Sequence, residues 1–453
     1  MTVRPAAVAG SFYSDKVEGL QSQVDTLLAG AANTVDDLAV PVKALIVPHA
    51  GYIYSGPVAA TAYRLLVPLQ RQIRRVVLLG PSHHVYLRSI AAPLADWFAT
   101  PLGKIKVDRE GLQQLIDRYS LVRTHPSAHI QEHSLEVQLP FLQQTLESFS
   151  ILPLLIGDID PAALVPILND LAEDEGSLII VSSDLSHFLD YATARQLDQC
   201  SAESIVNLHW AAIKPHQACG VTAIQGLLQL AEQQNLHVEL LDVRNSGDTA
   251  GTRDRVVGYG SFSFATREPE LGSKEKSTLS QLAKQSIQHG LHHHQAISIS
   301  GSSLSATLSQ PGASFVTLFH KQQLRGCIGS LTAYRTLAKD VAENAFAAAF
   351  HDPRFRPLSP AEAEDLDIHL SVLSRPVDLV VRDEAELLRL LHPGVDGLIL
   401  RDGPQHSTFL PSVWEQLPEK ADFLQHLKMK AGLAANHWSQ SIRFQRYRTQ
   451  NWC

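Results

Sequence analysis

Histidine is the residue type whose placement points to chemistry in this chain of 453 residues, which contains 21 of them. Three histidine-bearing turns each follow an apolar run typical of a buried strand: residues 48–52 (PHAGY), 80–84 (GPSHH) and 182–187 (SSDLSH). Imidazole is the commonest side-chain metal ligand, and its second nitrogen must be held by a partner. The pattern therefore predicts a metal site with His49 and His83 as ligands, and with Asp184 and the nearby serines as their partners.

A fourth cluster, residues 131–136 (QEHSLE), adds His133 and the carboxylates of Glu132 and Glu136 at the start of a predicted helix. A single histidine beside a strand end is usually an ordinary hydrogen-bonding residue. Four histidine-bearing segments at strand ends or helix starts favour a shared site over that simpler interpretation.

Cys219 lies immediately before an amphipathic pattern that predicts a helix over residues 221–233. A helix N-terminus favours the thiolate, which is the form that binds metals and attacks electrophiles. A buried structural thiol is the more ordinary interpretation of one cysteine considered alone. The residue by itself leaves both interpretations open.

Residues 1–268 alternate between short apolar runs and helical patterns, with the runs at 42–47, 76–79, 151–156 and 177–182. Strands that are buried on both faces and separated by helices predict an α/β fold, with a mostly parallel central sheet flanked by helices. In such sheets ligands bind beyond the carboxyl ends of the strands. The histidine-bearing turns are therefore expected to meet in one crevice.

Composition argues against several classes of function. The net charge is −8, and no run of Lys and Arg marks a nucleic-acid surface. No apolar stretch reaches about 18 residues, so no membrane span is expected. Neither G-x-G-x-x-G nor a Walker-type motif occurs, which argues against a nucleotide cofactor. The four cysteines form no C-x-x-C pair, and no apolar leader is evident, so the cytoplasm is the expected compartment.

The motifs resemble the Memo family, in order, at residues 9–13 (AGSFY), 48–52, 80–84, 132–136, 182–187 and 219–220. The resemblance covers about residues 5–268 and implies a fold like that of the class III extradiol dioxygenases. It also implies that His49, His83 and Cys219 bind the metal, which would be iron with copper as a competitor. His187 would lie where the dioxygenase relatives keep an acid/base histidine.

Cys219 stands where the extradiol enzymes place a carboxylate beside two histidines. A thiolate is softer, suits Cu(I) as well as iron, and is itself oxidisable. The resemblance therefore implies redox or O₂-linked chemistry on an unknown substrate, without implying ring cleavage. His187 or His133 would move protons, while Asp184 and Glu132 would orient the imidazoles. Three more motif residues complete the predicted surroundings, as partners of the ligands or contacts for substrate: His84, Tyr52 and Glu136.

Residues 269–276 are charged, which predicts a linker before a second, smaller α+β domain over residues 277–453. In that domain the motif at 325–329 (RGCIG) follows an apolar strand pattern, and its glycines allow close backbone approach. The segment 352–355 (DPRF) predicts a turn after a helix. The two motifs suggest a polar cleft lined by four residues: Arg325, Cys327, Asp352 and Arg354. A tight turn around a small buried thiol is the simpler interpretation.

This region resembles the AMMECR domain at residues 325–329, 352–355, 394–397 (GVDG) and 408–411 (TFLP). Memo-type, AMMECR-type and radical-SAM proteins form a recurring bacterial and archaeal set, AmmeMemoRadiSam, of which the chain would combine components B and A. Because no C-x-x-x-C-x-x-C motif occurs, a radical-SAM partner is expected as a separate protein.

Two alternatives to a metal-dependent oxidoreductase remain open at this stage. One is a non-catalytic module that docks a peptide or protein partner in the same crevice. The other is a metal-handling protein that holds iron or copper without turnover. The sequence identifies neither the substrate, which is a small molecule or a protein, nor the oligomeric state.

Overall fold

Two compact units make up the chain, one over Met1–Arg267 and the other over Glu268–Cys453. The computed structural model describes residues 2–31, 42–266, 271–299, 304–379, 381 and 383–453. The predicted linker, 269–276, lies partly outside the described residues, and a helix already begins within it at Ser273. Across the described ranges, no helix combines the length and apolar character needed to cross a bilayer.

The first unit is built on one large sheet. Its strands are β1 (Val3–Arg4), β2 (Val42–Val47), β3 (Arg75–Pro81), β4 (Ile90–Ala92), β5 (Trp97–Thr100), β6 (Gly103–Val107), β7 (Val122–Thr124), β8 (Ser150–Ile156), β9 (Ser177–Ser182), β10 (His187–Leu189), β11 (Leu236–Asn245) and β12 (Val256–Thr266). Its helices are α1 (Val17–Gly30), α2 (Tyr52–Arg64), α3 (Arg109–Arg118), α4 (Pro126–His129), α5 (Leu139–Thr145), α6 (Val165–Ala172), α7 (Tyr191–Val206) and α8 (Val221–Gln233).

Four strands form the centre of this sheet in the order β8-β3-β9-β2, and they run parallel to one another. They are buried apolar runs, and helices α2, α6 and α8 pack against them. The antiparallel strands β12 and β11 extend the sheet beyond β2. The predicted α/β fold with a mostly parallel sheet is confirmed.

The carboxyl ends of three central strands meet at one edge. Strand β2 ends at Val47, which pairs with Ser182 at the end of β9, while Leu79 of β3 pairs with Val181. The segments that follow these strands contain His49, Asp184 and His83. Parallel pairing therefore brings side chains that are distant in sequence to a common edge, as the strand pattern predicted.

The second unit contains two smaller antiparallel sheets. Its strands are β13 (Ala313–His320), β14 (Gln323–Gly329), β15 (Leu366–Leu373), β16 (Val377–Leu379), β17 (Gly397–Asp402), β18 (Gln405–Phe409), β19 (Arg443–Tyr447) and β20 (Thr449–Trp452). Its helices are α9 (Ser273–His293), α10 (Ala306–Ser309), α11 (Leu337–Phe350), α12 (Pro360–Ala363), α13 (Glu384–Leu390) and α14 (Lys420–Lys430).

Each small sheet has its own apolar core. The sheet β14-β13-β15-β20 packs against α9 and α11, whose buried residues include Ile287 and Val341. The sheet β16-β19-β17-β18 packs against α14 through Phe423, which stacks on Trp414 at a centroid distance of 3.7 Å. A smaller apolar cluster that includes Tyr447 contains residues from both sheets.

Candidate metal centre

Three histidines meet at the carboxyl edge of the large sheet. His49, His83 and His133 each offer one potential ligand atom, and these atoms lie within 4.8 Å of one another. The ring centroids of His83 and His133 are 4.6 Å apart, and His49 lies 5.2 Å from His83 and 5.4 Å from His133. This is the arrangement expected of side chains that converge on one ion.

Hydrogen bonds fix the orientation of the His49 ring. Its Nδ1 lies 2.9 Å from Ser182 Oγ. The Ser182 hydroxyl already donates its hydrogen to the Ser134 carbonyl, and it also accepts a hydrogen bond from Gln138 Nε2. Nδ1 of His49 must therefore be the donor, which leaves Nε2 with a free lone pair.

Glu132 fixes His83 in the same manner. One carboxylate oxygen lies 2.9 Å from His83 Nδ1, and the other accepts the His83 backbone N–H at 2.6 Å. Because an ionised carboxylate only accepts hydrogen bonds, Nδ1 of His83 carries the proton and Nε2 is free. His133 Nδ1 lies 3.5 Å from the same carboxylate. Burial alone would raise the pKa of Glu132, but the hydrogen bonds from His83 outweigh it and hold that pKa well below its usual range.

Burial keeps two of the imidazoles neutral. It lowers the pKa of His49 to about 3, with a further contribution from His83. It also lowers the pKa of His133 to about 4, with contributions from His49 and His83. A histidine must be neutral to bind a metal, so both rings are in the binding form at pH 7.

Cys219 lies against this cluster. Its Sγ is 3.4 Å from Nε2 of His49, the nitrogen left free by Ser182, and it accepts the Asp184 backbone N–H at 3.2 Å. Burial raises the pKa of Cys219 to about 12, and the nearby Asp184 adds to the rise. The described three-histidine cluster includes His133, which the sequence assigned to proton transfer, while the Cys219 thiol lies beside Nε2 of His49.

Two glycines allow the site segments to approach so closely. A Cβ at Gly80 would lie 2.7 Å from Ser134 Oγ, so this glycine admits the segment that carries His133. A Cβ at Gly220 would lie 2.8 Å from Ser183 Cβ, so this glycine admits the start of α8. Without these glycines the segments carrying His133 and Cys219 would have to move away from the strand ends.

Asp184 and His187 lie at the same edge of the sheet, and Asp184 makes a different contact from the one expected of it. Asp184 was predicted to orient an imidazole ring; instead its Oδ1 accepts the backbone N–H of His49 at 2.7 Å. Burial raises the pKa of Asp184. His187 is half-buried at this edge. The next residue, Phe188, is exposed and adopts a φ of 60°.

Two residues predicted to contact ligands or substrate instead hold the fold together. Tyr52 is buried, and its hydroxyl donates to the Val137 carbonyl at 2.7 Å. Glu136 is buried in an ion pair with Arg4 at 2.6 Å and accepts the Tyr13 hydroxyl at 2.6 Å. Both side chains make these contacts away from the histidine rings, and their roles as ligand partners or substrate contacts stay predictions.

His84, expected as a neighbour of the ligands, is exposed, and its ring centroid lies 6.4 Å from that of His133. Gln138 is a site residue that the sequence analysis missed. It is buried, holds Ser182 and donates to the Pro48 carbonyl at 3.0 Å. The available signal was an uncharged polar residue inside the otherwise apolar run at residues 137–142 (VQLPFL).

The second unit brings three of its four predicted cleft residues into direct contact. Asp352 accepts the Cys327 backbone N–H at 2.8 Å, and Arg354 donates to Asp352 and to the Cys327 carbonyl. The hydrogen bonds from Arg354 hold the pKa of Asp352 well below its usual range. Arg325 instead pairs with Glu362 at 2.8 Å.

Comparisons with known proteins match the two parts of the chain to two different families. Residues 4–263 match the family described as Memo-like protein, and residues 280–452 match the family described as AMMECR1. A MEMO1 family protein of Aquifex aeolicus (strain VF5) is 35% identical over 271 residues, which are 57% of this chain and 98% of the relative. A MEMO1 family protein of Saccharolobus solfataricus is 33% identical over 281 residues, or 56% of this chain and 97% of the relative.

Among solved structures, an uncharacterised protein of Pyrococcus horikoshii has 28% sequence identity and a TM-score of 0.36, and the alignment covers 38% of this chain and 88% of that one. The Memo-like match spans more than half of the chain and includes every residue of the histidine cluster. The chain therefore belongs to the Memo family, and a region that matches AMMECR1 follows the Memo-like unit.

Proposed function

We propose that the first unit binds a redox-active metal ion through His49, His83 and His133, with the Cys219 thiol beside it. One observation carries this proposal: ring nitrogens that lie within 4.8 Å of one another, on rings held from behind by Ser182 and Glu132. Metal-binding histidines characteristically donate their other ring N–H to such partners. The residues present therefore fit a metal ion.

Iron is the ion that we propose, with copper as a competitor. Imidazole nitrogen suits both metals, and the adjacent thiol sulfur adds a softer donor that favours Cu(I). The bound ion would supply Lewis-acid and redox chemistry at the edge of the sheet. No nucleotide cofactor is part of the proposal.

Access to the cluster favours an O₂-linked oxidoreductase over a metal-handling protein. The side chain of His83 is 30% exposed and that of His133 is 19% exposed, so a molecule from solvent can reach the ligands. A site that only stores an ion is expected to enclose it. His187, half-buried at the same edge, is the group that we propose to accept or donate the proton of a bound substrate.

The cellular compartment of the protein and its partner are also proposals. The four cysteines are unpaired, and Cys200 and Cys453 are exposed, which suits the reducing cytoplasm. A separate radical-SAM protein remains the partner predicted from the resemblance of the two units to Memo-type and AMMECR-type proteins.

Elemental analysis of protein purified without oxygen tests the metal proposal. The wild type is expected to retain about one iron or copper ion per chain, because one cluster is described. His49→Ala and His133→Ala are expected to lose the ion while remaining folded. Cys219→Ser is expected to retain iron and to bind copper less well, since oxygen is a harder donor than sulfur.

His84→Ala is the matched control, because His84 is an exposed histidine beside the cluster. It should keep the metal content of the wild type. A His133→Ala variant with full metal content would remove His133 from the ligand set. A wild type without metal would overturn the proposal and favour a partner-docking crevice.

A further inference from the structure

The C-terminal end of α9 carries a group of histidines, which are His289, His292, His293 and His294. His289 and His293 are four residues apart, so their side chains lie on the same face of the helix, one turn from each other. Their ring centroids are 4.3 Å apart, with an angle of 31° between the ring planes. The second unit therefore places two imidazoles side by side, outside the candidate metal centre.

A backbone carbonyl fixes the tautomer of His289. Nδ1 of this ring lies 2.9 Å from the carbonyl oxygen of Gln295. Because a carbonyl oxygen can only accept a hydrogen bond, Nδ1 carries the proton and Nε2 has a free lone pair. Histidines that bind metals characteristically donate their other ring N–H to a backbone carbonyl or a carboxylate. His289 is therefore held as a metal ligand would be, with Nε2 as the nitrogen that can bind.

The turn at the end of α9 brings Gln295 back to His289. His294 ends the helix in the left-handed region, with a φ of 56°, and its backbone N–H donates to the Gly290 carbonyl at 3.0 Å. This conformation is strained for a residue with a side chain and usually belongs to glycine. The reversal of the chain at His294 places the Gln295 carbonyl against the His289 ring.

Packing against α11 holds this end of the helix in place. A Cβ at Gly290 would lie 2.5 Å from the Phe350 ring and 2.6 Å from the Phe346 ring, so the glycine lets the two helices approach closely. Ile287, one turn earlier, is buried in the apolar core between α9, α11 and the sheet. Because the backbone beneath the two histidines is fixed, the rings need not be brought together when an ion binds.

The charge and exposure of this helix end favour a cation. No Lys or Arg occurs in residues 285–295, and the last carbonyl groups of a helix carry partial negative charge. His293 is exposed and His289 is half-buried. An ion held between these two rings would therefore have coordination positions that solvent can reach.

We propose that His289 and His293 form a second metal site, which takes a divalent transition-metal ion of the kind that imidazole binds: Cu²⁺, Ni²⁺ or Zn²⁺. Nε2 of His289 is one ligand and a ring nitrogen of His293 is the other. Mg²⁺ prefers oxygen ligands and is not expected to bind. With two protein ligands instead of three, this site binds more weakly than the centre proposed for the first unit and loads only when metal is added. It does not depend on the function proposed for that unit.

Modification of the full-length protein by diethyl pyrocarbonate tests the site, because the reagent acylates a ring nitrogen that has a free lone pair. Rates are measured at each histidine by peptide mass spectrometry, with and without added Ni²⁺. At a Ni²⁺ concentration about ten times the dissociation constant, modification of His289 and His293 should slow by about tenfold, since about a tenth of the sites remain free. Mg²⁺ should leave both rates unchanged.

His406 is the internal reference. It is exposed, its Nδ1 lies 3.2 Å from the Pro404 carbonyl oxygen, and no other histidine occurs within four residues of it. Ni²⁺ should not change its rate of modification. Because each histidine is measured separately, binding of Ni²⁺ in the first unit does not alter the readout at α9.

His293→Gln should abolish the protection of His289, because one imidazole without the second is expected to bind about 100-fold more weakly. His292→Gln is the matched control, since it removes an exposed neighbouring histidine and leaves the pair intact. It should keep the protection seen in the wild type. Equal rates at His289 with and without Ni²⁺, or protection that survives His293→Gln, would overturn the proposal. Loss of protection in His292→Gln would overturn the assignment of the site to this pair.

Discussion

The Ser182 hydroxyl has one hydrogen, and it donates that hydrogen to the Ser134 carbonyl. The oxygen is then only an acceptor for Nδ1 of His49, and this fixes which imidazole nitrogen can bind a metal. Gln138, held in turn by the Tyr63 hydroxyl at 2.8 Å, keeps the serine in place. The His49 ring is therefore oriented by neutral side chains that lie behind it, on the side away from Nε2.

Ser182→Ala is expected to weaken metal binding by about 10- to 100-fold, because the His49 ring loses the acceptor that selects its tautomer. Metal should still bind at saturating concentration, since the three rings remain. The affinity is measured by titration of metal-free protein against a competing chelator.

Ser286→Ala, which removes a buried serine hydroxyl in the second unit, is the control for a general loss of stability. It should leave the metal affinity unchanged. An unchanged affinity in Ser182→Ala as well would mean that Ser182 does not orient the ligand.

Strand β1 is tied to the site segment by charge. Arg4 pairs with Glu136, and it also donates to the backbone carbonyls of His129 and Glu132. Glu136 further accepts the backbone N–H groups of residues 7 and 8. One buried carboxylate therefore fastens the first residues of the chain to the segment that carries His133.

Glu136→Gln is expected to destabilise the first unit by roughly 3–5 kcal/mol, because it leaves the Arg4 charge buried without its counter-ion. For a unit of this size the loss corresponds to a fall of roughly 10 °C in the melting temperature, measured by differential scanning calorimetry. Below that temperature the metal affinity should equal that of the wild type. A variant of normal stability and reduced metal affinity would instead restore the ligand-partner role predicted from the sequence.

The sequence predicted this edge of the sheet because element patterns carry the necessary information. Apolar runs predicted the parallel strands, and parallel strands place their carboxyl ends together, so His49 and His83 were expected to meet. Glu132 lies against His83 as the sequence analysis expected of a carboxylate near an imidazole. These inferences required only local composition and one topological rule.

Residue roles within a motif were not predictable in the same way. Tyr52 and Glu136 are adjacent in sequence to site residues, yet their side chains point to a core tyrosine network and to Arg4. The direction in which these side chains point depends on the turns between elements, and neither the spacing nor the periodicity of the sequence specifies those turns. For the same reason, the sequence predicted that His133 lies at the site. It did not predict that a ring nitrogen of His133 lies within 4.8 Å of those of His49 and His83.

Acid is expected to affect the two units in different pH ranges. In the first unit, burial lowers the pKa of His129 to about 4, and its Nε2–H donates a hydrogen bond to the Ala91 carbonyl at 3.0 Å. In the second unit, hydrogen bonds from Arg325 lower the pKa of Glu362 to about 2. Both groups bind fewer protons when folded than when unfolded, so each contributes stability that is lost as the pH falls.

The pH range in which each contribution is lost follows from two values: the ordinary pKa of the group and its pKa in the folded protein. The contribution of His129 is complete above about pH 6.5 and is lost as the pH falls toward about 4, at a cost on the order of 3 kcal/mol. That of Glu362 is complete above about pH 4.5 and is lost only as the pH approaches about 2. Since Glu362 is partly exposed, solvent screens the pair with Arg325 and makes this second effect the smaller one.

Hydrogen exchange of metal-free protein, resolved by peptide, measures both effects in one chain. His129→Gln should lessen the loss of protection in residues 42–266 between pH 6.5 and 4, because the variant has no imidazole to protonate. The exposed His237→Gln is its control and should follow the wild type. Glu362→Gln should act only on residues 304–379, and only below about pH 4.5. If His129→Gln and His237→Gln gave the same acid response, burial of His129 would not be the source of acid sensitivity, and the buried histidines of the first unit would not separate its pH range from that of the second.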